Sequence, residues 1–285
     1  MHKTLILSSL IVAAPAAGQV QLIGVEFRDG SFSNRDARLF DIDPVTGAAS
    51  NPRFTDADVV TGIAQGPDGT LFALTDGLGT VNNEPAGSSL LTIDIFTGET
   101  TIVGDTGIFL SEGDLDFDAD GNLFAVTTEN GVATLLTLDA DTGAGQIVGT
   151  IPGLADASAM AFAPDGSLYV LDTTVNAVSI DAFLVEVDPT DASVLSSVTI
   201  TQGLGNTAGI DFNPADGTLF LADGDFNGTN NLYIVDLTTG DLITVGTTID
   251  DNFFGGLAGL EFAVIPEPTT LSLLGLGSLA LLRRR

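Results

Sequence analysis

Four near-copies of one segment recur along the chain, and each is an Asp-Gly turn followed by an apolar run of β character. The runs are Thr70–Thr75 (TLFALT), Asn122–Thr127 (NLFAVT), Ser167–Asp172 (SLYVLD) and Thr218–Asp223 (TLFLAD). Their turns end at Gly69, Gly121, Gly166 and Gly217. A repeat of this length means that one supersecondary unit buries its apolar faces only against its neighbours, so the period dictates the architecture.

Each unit holds three more strand-like pieces. An inner candidate precedes the turn: Gly62–Gln65, Asp114–Phe117, Ala159–Phe162 and Gly209–Phe212. A third strand follows later and ends at Asp94, Asp139, Asp188 or Asp236. Three of these aspartates open an Asp-x-x-Thr-Gly turn before a fourth strand, while residues 188–192 (DPTDA) depart from it. Four strands joined by two tight hairpins make a propeller blade. The N-terminal unit supplies strands two to four of a blade (residues 21–26, 38–42 and 48–54) but lacks a first strand. A matching strand stands at the other end, Ala258–Phe262, alike to Ala208–Phe212. The expectation is therefore an all-β, single five-bladed β-propeller over residues 19–264, closed by the C-terminal strand pairing into the first blade, since closure removes sheet edges. An open β-solenoid is the alternative. The Asp-x-x-Thr-Gly turn is similar to that of quinoprotein-type propellers, but the tryptophans of those blades are absent, which argues against a quinone cofactor.

Composition narrows the chemistry. The 285 residues carry a formal charge of −30, with no Cys, no Trp and one His. No Lys, Arg or His lies between Phe54 and Leu282. Such a field repels phosphate backbones, so nucleic acid is not an expected partner. The single histidine is His2, inside an export-type leader: Lys3, the apolar stretch Leu5–Ala14, then small residues to Gly18. Residues 1–18 thus read as a signal peptide for signal peptidase, with a buried N-terminal strand as the alternative. Without them no histidine, lysine or thiol remains, which removes Ser-His-Asp, cysteine and Schiff-base chemistry and His/Cys zinc sites.

The C-terminus, residues 265–285, carries Pro266-Glu267-Pro268, an apolar run Leu271–Leu282 expected to form a short membrane helix, and Arg283, Arg284 and Arg285. Twelve apolar-dominated residues are short for a span that takes about 20. These residues resemble the PEP-CTERM sorting signal of Gram-negative bacteria. The resemblance implies export, transient inner-membrane anchoring, processing by an exosortase-type protease, and association with the cell surface or extracellular matrix. It covers only the tail.

Aligning the inner strands on their turns puts Ala64, Asp116, Ala161, Asp211 and Glu261 at one equivalent position. Three acids in a small radius repel unless a cation or a raised pKa relieves them. A Ca²⁺ site at Asp116, Asp211 and Glu261 is one expectation; acids hydrogen-bonded to neighbouring inner-strand amides are the other. The string Asp223–Gly228 (DGDFNG) offers Asp223, Asp225 and Asn227 as further Ca²⁺ ligands, and Asp116–Gly121 (DFDADG) has half of an EF-hand pattern but Thr127 at its twelfth position. No cofactor is required by any of these readings. Loops between strands two and three, and between blades, are the longer ones, and that face is the expected place for function. Four arginines, Arg28, Arg35, Arg38 and Arg53, gather in the first blade as ion-pair partners or as an anion or self-association patch. Noncatalytic binding of an extracellular polymer or surface protein is the favoured function. A carboxylate-dependent hydrolase of glycosidase or lactonase type, with Ca²⁺, is the alternative.

Overall fold

The computed structural model describes residues 18–26, 36–173, 182–200, 204, 207–224, 230–249 and 256–265. Gln21–Ala263 forms one compact unit. Among the described residues it is all β and contains no helix. The expected helix over residues 271–282 lies outside the described residues.

The chain begins with β1 (Gln19–Glu26), β2 (Arg38–Ile42) and β3 (Ala49–Phe54). The second blade is β4 (Gly62–Gln65), β5 (Leu71–Leu74), β8 (Ser89–Ile93) and β9 (Thr100–Asp105), with a two-stranded ribbon of β6 (Thr80–Val81) and β7 (Glu84–Pro85) between β5 and β8. The third is β10 (Gly113–Phe117), β11 (Leu123–Glu129), β12 (Val132–Leu138) and β13 (Gly145–Thr150). The fourth is β14 (Ala157–Phe162), β15 (Leu168–Asp172), β16 (Ala182–Val187) and β17 (Val194–Ile200). The fifth is β18 (Thr207–Phe212), β19 (Leu219–Gly224), β20 (Asn231–Val235) and β21 (Leu242–Thr247). The last strand, β22 (Leu257–Ile265), stands in a sheet of order β22-β1-β2-β3. Five four-stranded sheets thus form a five-bladed propeller.

The core is divided among the seams between blades. Phe72, Leu74 and Leu90 pack on Leu115, Leu123 and Leu136 of the next blade. Val126 and Leu135 meet Met160, Leu168 and Val185, while Leu171 and Leu184 meet Ile210, Leu219 and Leu221. Phe220 and Leu232 meet Leu22, Ile42, Leu257 and Leu260. Second strands are therefore covered on both faces, which is why β5, β11 and β19 read as continuous apolar runs instead of alternating. Each buried Leu, Val or Phe contributes about 1.5–3 kcal/mol. The same tilted aromatic pair recurs across four seams: Phe72–Phe117, Phe124–Phe162, Tyr169–Phe212 and Phe220–Phe262, with centroids 5.3–5.5 Å apart.

Outer strands leave one edge unpaired, and a chain with no lysine beyond Lys3 cannot blunt that edge with the usual cation. Bulges serve instead: all five pairings of third and fourth strands shift register, at Leu39/Asp41, Leu90/Leu91, Leu135/Leu136, Glu186/Val187 and Leu232/Tyr233. The hairpins before these strands share one geometry. The residue closing the turn has φ of +77° at Gly47, +85° at Gly98, +78° at Gly143 and +77° at Gly240. The departure at residues 188–192 keeps it, with Ala192 held at +64° and fully buried.

Inner strands approach so closely that side chains are excluded. A Cβ on Gly209 would stand 2.7 Å from the backbone carbon of Gly259, and one on Gly259 would meet the amide nitrogen of Ile63 at 2.9 Å. Gly209→Ala is accordingly expected to cost about 1–3 kcal/mol by overpacking. Thermal unfolding checks it through a fall in Tm of about 2–4 °C per kcal/mol; an unchanged Tm would show that the inner strands separate freely.

Candidate functional site

A cavity of about 260 Å³ opens at one end of the inner strands, lined by Asp116, Asp211 and Glu261 with Phe117, Phe162, Phe212 and Phe262. Pro67, Asp118 and Pro214 of the short hairpins line it as well, so it lies on the hairpin face and not on the longer-loop face that the sequence favoured.

The fold brings Asp116, Asp211 and Glu261 together as the alignment required, and each has a definite hydrogen-bonding task. The Phe117 amide donates to Asp116 Oδ1 at 2.7 Å, and the Phe162 amide of the next blade donates to Oδ2 at 2.6 Å. Asp211 repeats this with the Phe212 amide at 2.6 Å and the Phe262 amide at 2.5 Å. Glu261 accepts from the Gln65 amide, again one blade onward. Two residues earlier on β10, Asp114 accepts from the Leu115 amide at 2.9 Å and from the Met160 amide at 3.2 Å. These carboxyls are staples across the blade seams.

Their protonation follows from where they stand. Burial, opposed by its amide donors, lifts Asp116 to about 7. Burial and the Asp116 charge raise Asp211 well above the ordinary carboxylate range, and burial with the Asp211 and Asp116 charges does the same to Glu261. Raised native values mean that the unfolded chain releases these protons at lower pH. The group's contribution to stability is present near pH 4 and fades as pH rises towards about 7.

The other expected ligands are placed as follows. Asp223 is buried at the end of β19, where Oδ1 accepts from the Asn231 amide at 2.6 Å and Oδ2 from the Tyr233 hydroxyl at 3.2 Å. Asp225 and Asn227 lie outside the described residues. In the EF-hand-like string, Asp118 caps its own turn, accepting from the Asp120 and Asn122 amides at 3.0 and 2.8 Å. Among the described residues no group of three or more His, Cys, Asp or Glu is disposed to hold a metal ion. Of the first-blade arginines, Arg38 forks onto buried Glu26 at 2.6 and 2.9 Å, and Arg53 meets Asp41 at 2.8 Å. Arg28 and Arg35 lie outside the described residues.

On the opposite, loop-bearing face the structure reveals a carboxyl pair that sequence reasoning missed. Glu112, in the connection from β9 to β10, hydrogen-bonds Asp156, in the connection from β13 to β14. Burial and this contact push Glu112 up to about 8. Aligned on their turns, the blades set Glu112 four residues before Asp116 and Asp156 five before Ala161, so that alignment does not bring the two acids into register.

Comparison with known proteins assigns the tail and the fold. Residues 264–285 match the PEP-CTERM protein-sorting motif. A search of curated protein sequences finds no match. Among solved structures, the chain resembles one from a nidogen/laminin complex, at 12% identity with a TM-score of 0.52, covering 86% of this chain and 98% of that one. It also resembles a Bacteroides caccae protein of unknown function, at 13% identity with a TM-score of 0.51, covering 85% and 98%. At these identities the likeness concerns the fold.

Asp211→Ala leaves the Phe212 and Phe262 amides without an acceptor, and each orphaned donor is expected to cost about 1–3 kcal/mol, read as a lower Tm. In the parent protein, Tm is expected to fall as pH rises from mildly acid to neutral. Melting with Ca²⁺ and with chelator is the direct check on the metal expectation: a Ca²⁺-dependent rise in Tm would transfer these oxygens from amides to an ion.

Proposed function

We propose that the protein is an exported, noncatalytic binding propeller, sorted through an exosortase-type system to the cell surface or extracellular matrix. The observation that carries this reading is the sorting motif at residues 264–285, which begins within β22. In this reading signal peptidase removes residues 1–18, residues 271–282 hold the chain transiently in the inner membrane, and processing near Pro266-Glu267-Pro268 releases a domain that keeps β22. Pairing of β22 with β1 then closes the ring, and the position of β22 in the first sheet supports this.

The chain's chemical inventory favours binding over catalysis. Between residues 54 and 282 no lysine, arginine or histidine is available to a reaction. The alternative, a glycosidase, needs two carboxyls about 5–9.5 Å apart with room for substrate or water between them. Glu112 and Asp156 hydrogen-bond each other directly, and the channel carboxyls are occupied by amides.

Replacing Pro266, Glu267 and Pro268 by alanine in a host with an exosortase-type system is expected to abolish the shortened, surface-associated form and retain the full-length chain in the membrane fraction. Fractionation with immunoblotting measures both. Identical processing of parent and variant would overturn the sorting reading.

A further inference from the structure

Two connections on the loop-bearing face present large apolar side chains that the repeat does not call for. In three of the connections that lead into an inner strand, a leucine is buried in the seam: Leu110, Leu154 and Leu204. The residue before it is Gly153 or Gly203 in two of them, so the scaffold asks for no side chain there. Before Leu110 it is Phe109, left 50% exposed. The Phe109 ring lies across Gly77 of the connection after β5, its Cζ 2.9 Å from where a Gly77 Cβ would stand. The next residue is Leu78, 83% exposed. Hydrogen bonds fix both connections. The Gly77 amide donates to the Leu110 carbonyl at 2.7 Å, the Leu78 amide to Asp76 Oδ1 at 2.8 Å, and the Leu110 amide to Ser88 Oγ at 2.8 Å. Among the described residues only this blade carries an extra ribbon, β6–β7, and the Ala86 and Gly87 amides at its base return to the Gly79 carbonyl at 2.9 and 3.3 Å. Scattered single apolar side chains are ordinary on a surface, but two held side by side from separate connections form a patch.

We propose that Leu78 and Phe109 form the docking patch for a basic, apolar segment of a partner protein. This names the partner chemistry of the binding reading above and rests on that reading. Charge selects the partner. Asp76 adjoins Gly77, exposed Asp105 ends β9, and exposed Glu84 stands on the ribbon, while no lysine, arginine or histidine occurs between residues 54 and 282. Such a rim repels anionic lipid and acidic polymers. Lysines or arginines of a partner would meet these carboxylates while its apolar side chains cover Leu78 and Phe109. A second copy of the chain fits less well, because it brings the same negative charge and its Arg38 and Arg53 are already paired with Glu26 and Asp41.

The chain has no tryptophan, so a short synthetic peptide of lysines and leucines with one tryptophan reports its own burial. Titrated with the purified full chain, its emission is expected to shift to the blue, and binding to weaken as salt is raised. Leu78→Ser and Phe109→Ser are each expected to weaken binding about tenfold or more, the loss that follows removal of a buried Leu or Phe from a contact. Phe96→Ser, at a side chain 60% exposed in the β8–β9 hairpin, is expected to bind as the parent does. Leu78 is so exposed that its replacement leaves the fold intact, which keeps the test decisive even if Phe109→Ser does not fold. No blue shift, equal binding by Leu78→Ser, or equal binding of a peptide with serines in place of its leucines overturns the patch. Sedimentation of the parent as a dimer that Leu78→Ser dissociates assigns the patch to a second copy and overturns it as well. Sorting is read separately, from the alanine variant of Pro266, Glu267 and Pro268, so failure of the patch and failure of the sorting reading are distinguishable.

Discussion

The inner edge of each blade is the constraint around which the propeller is organised. An inner strand pairs with its second strand on one side only, so its other row of amides points along the seam towards the next blade. Glycines at 62, 209 and 259 bring neighbouring inner strands too close for side chains there, and an amide left bare at such a depth would cost more than a typical hydrogen bond gains. Two aspartates each accept two of these amides, their own follower's and the next blade's, while Glu261 accepts a fifth from Gln65. The amides following all five equivalent positions are thereby satisfied by three carboxyls. This explains why Ala64 and Ala161 suffice at the remaining two positions: the amides beside them are already taken. It also explains why the carboxyls resist ionisation, since the backbone geometry demands acceptors where water is scarce.

Much of the chain's acidity has an equally local cause. Asp43, Asp94, Asp139, Asp188 and Asp236 open the hairpins before the outer strands, and each accepts from an amide two residues on. The Val45 amide at Asp43, the Thr97 amide at Asp94, and the Thr142 and Thr190 hydroxyls at Asp139 and Asp188 hold these carboxyls below their usual range. They remain charged and hydrated on the rim. The protein therefore holds two populations of acids with opposite displacements: rim aspartates that ionise readily because donors converge on them in open solvent, and channel acids that ionise reluctantly although donors also converge there. Burial decides the difference.

The blade count, the strand order and the equivalence of Asp116, Asp211 and Glu261 were legible in the sequence because each is a property of the repeat. Both the turn that fixes register and the apolar run buried on its two faces recur with every blade. What those acids do was open between cation and amide, because alignment gives position along a strand and not the distance to the next strand's amide. That distance follows from the inner glycines, whose meaning emerges only when five strands are packed side by side. Glu112 and Asp156 were illegible for another reason: they stand just before the inner strands of adjacent blades, and an irregularity between Ala157 and Ala159 puts them out of register when the blades are aligned on their turns.

The two ends of the inner strands consequently differ in kind. At the hairpin end, every channel carboxyl has backbone partners across a seam, so its presence is accounted for by the architecture. At the loop end, Glu112 and Asp156 meet each other and not an inner-strand amide. Acids at a position where other blades carry Val60 and Thr207 are not required by the scaffold, and such positions are where selection for something other than stability is expected to act. A propeller can vary its connections without disturbing its seams, so the loop-bearing face is the part of this domain free to acquire function.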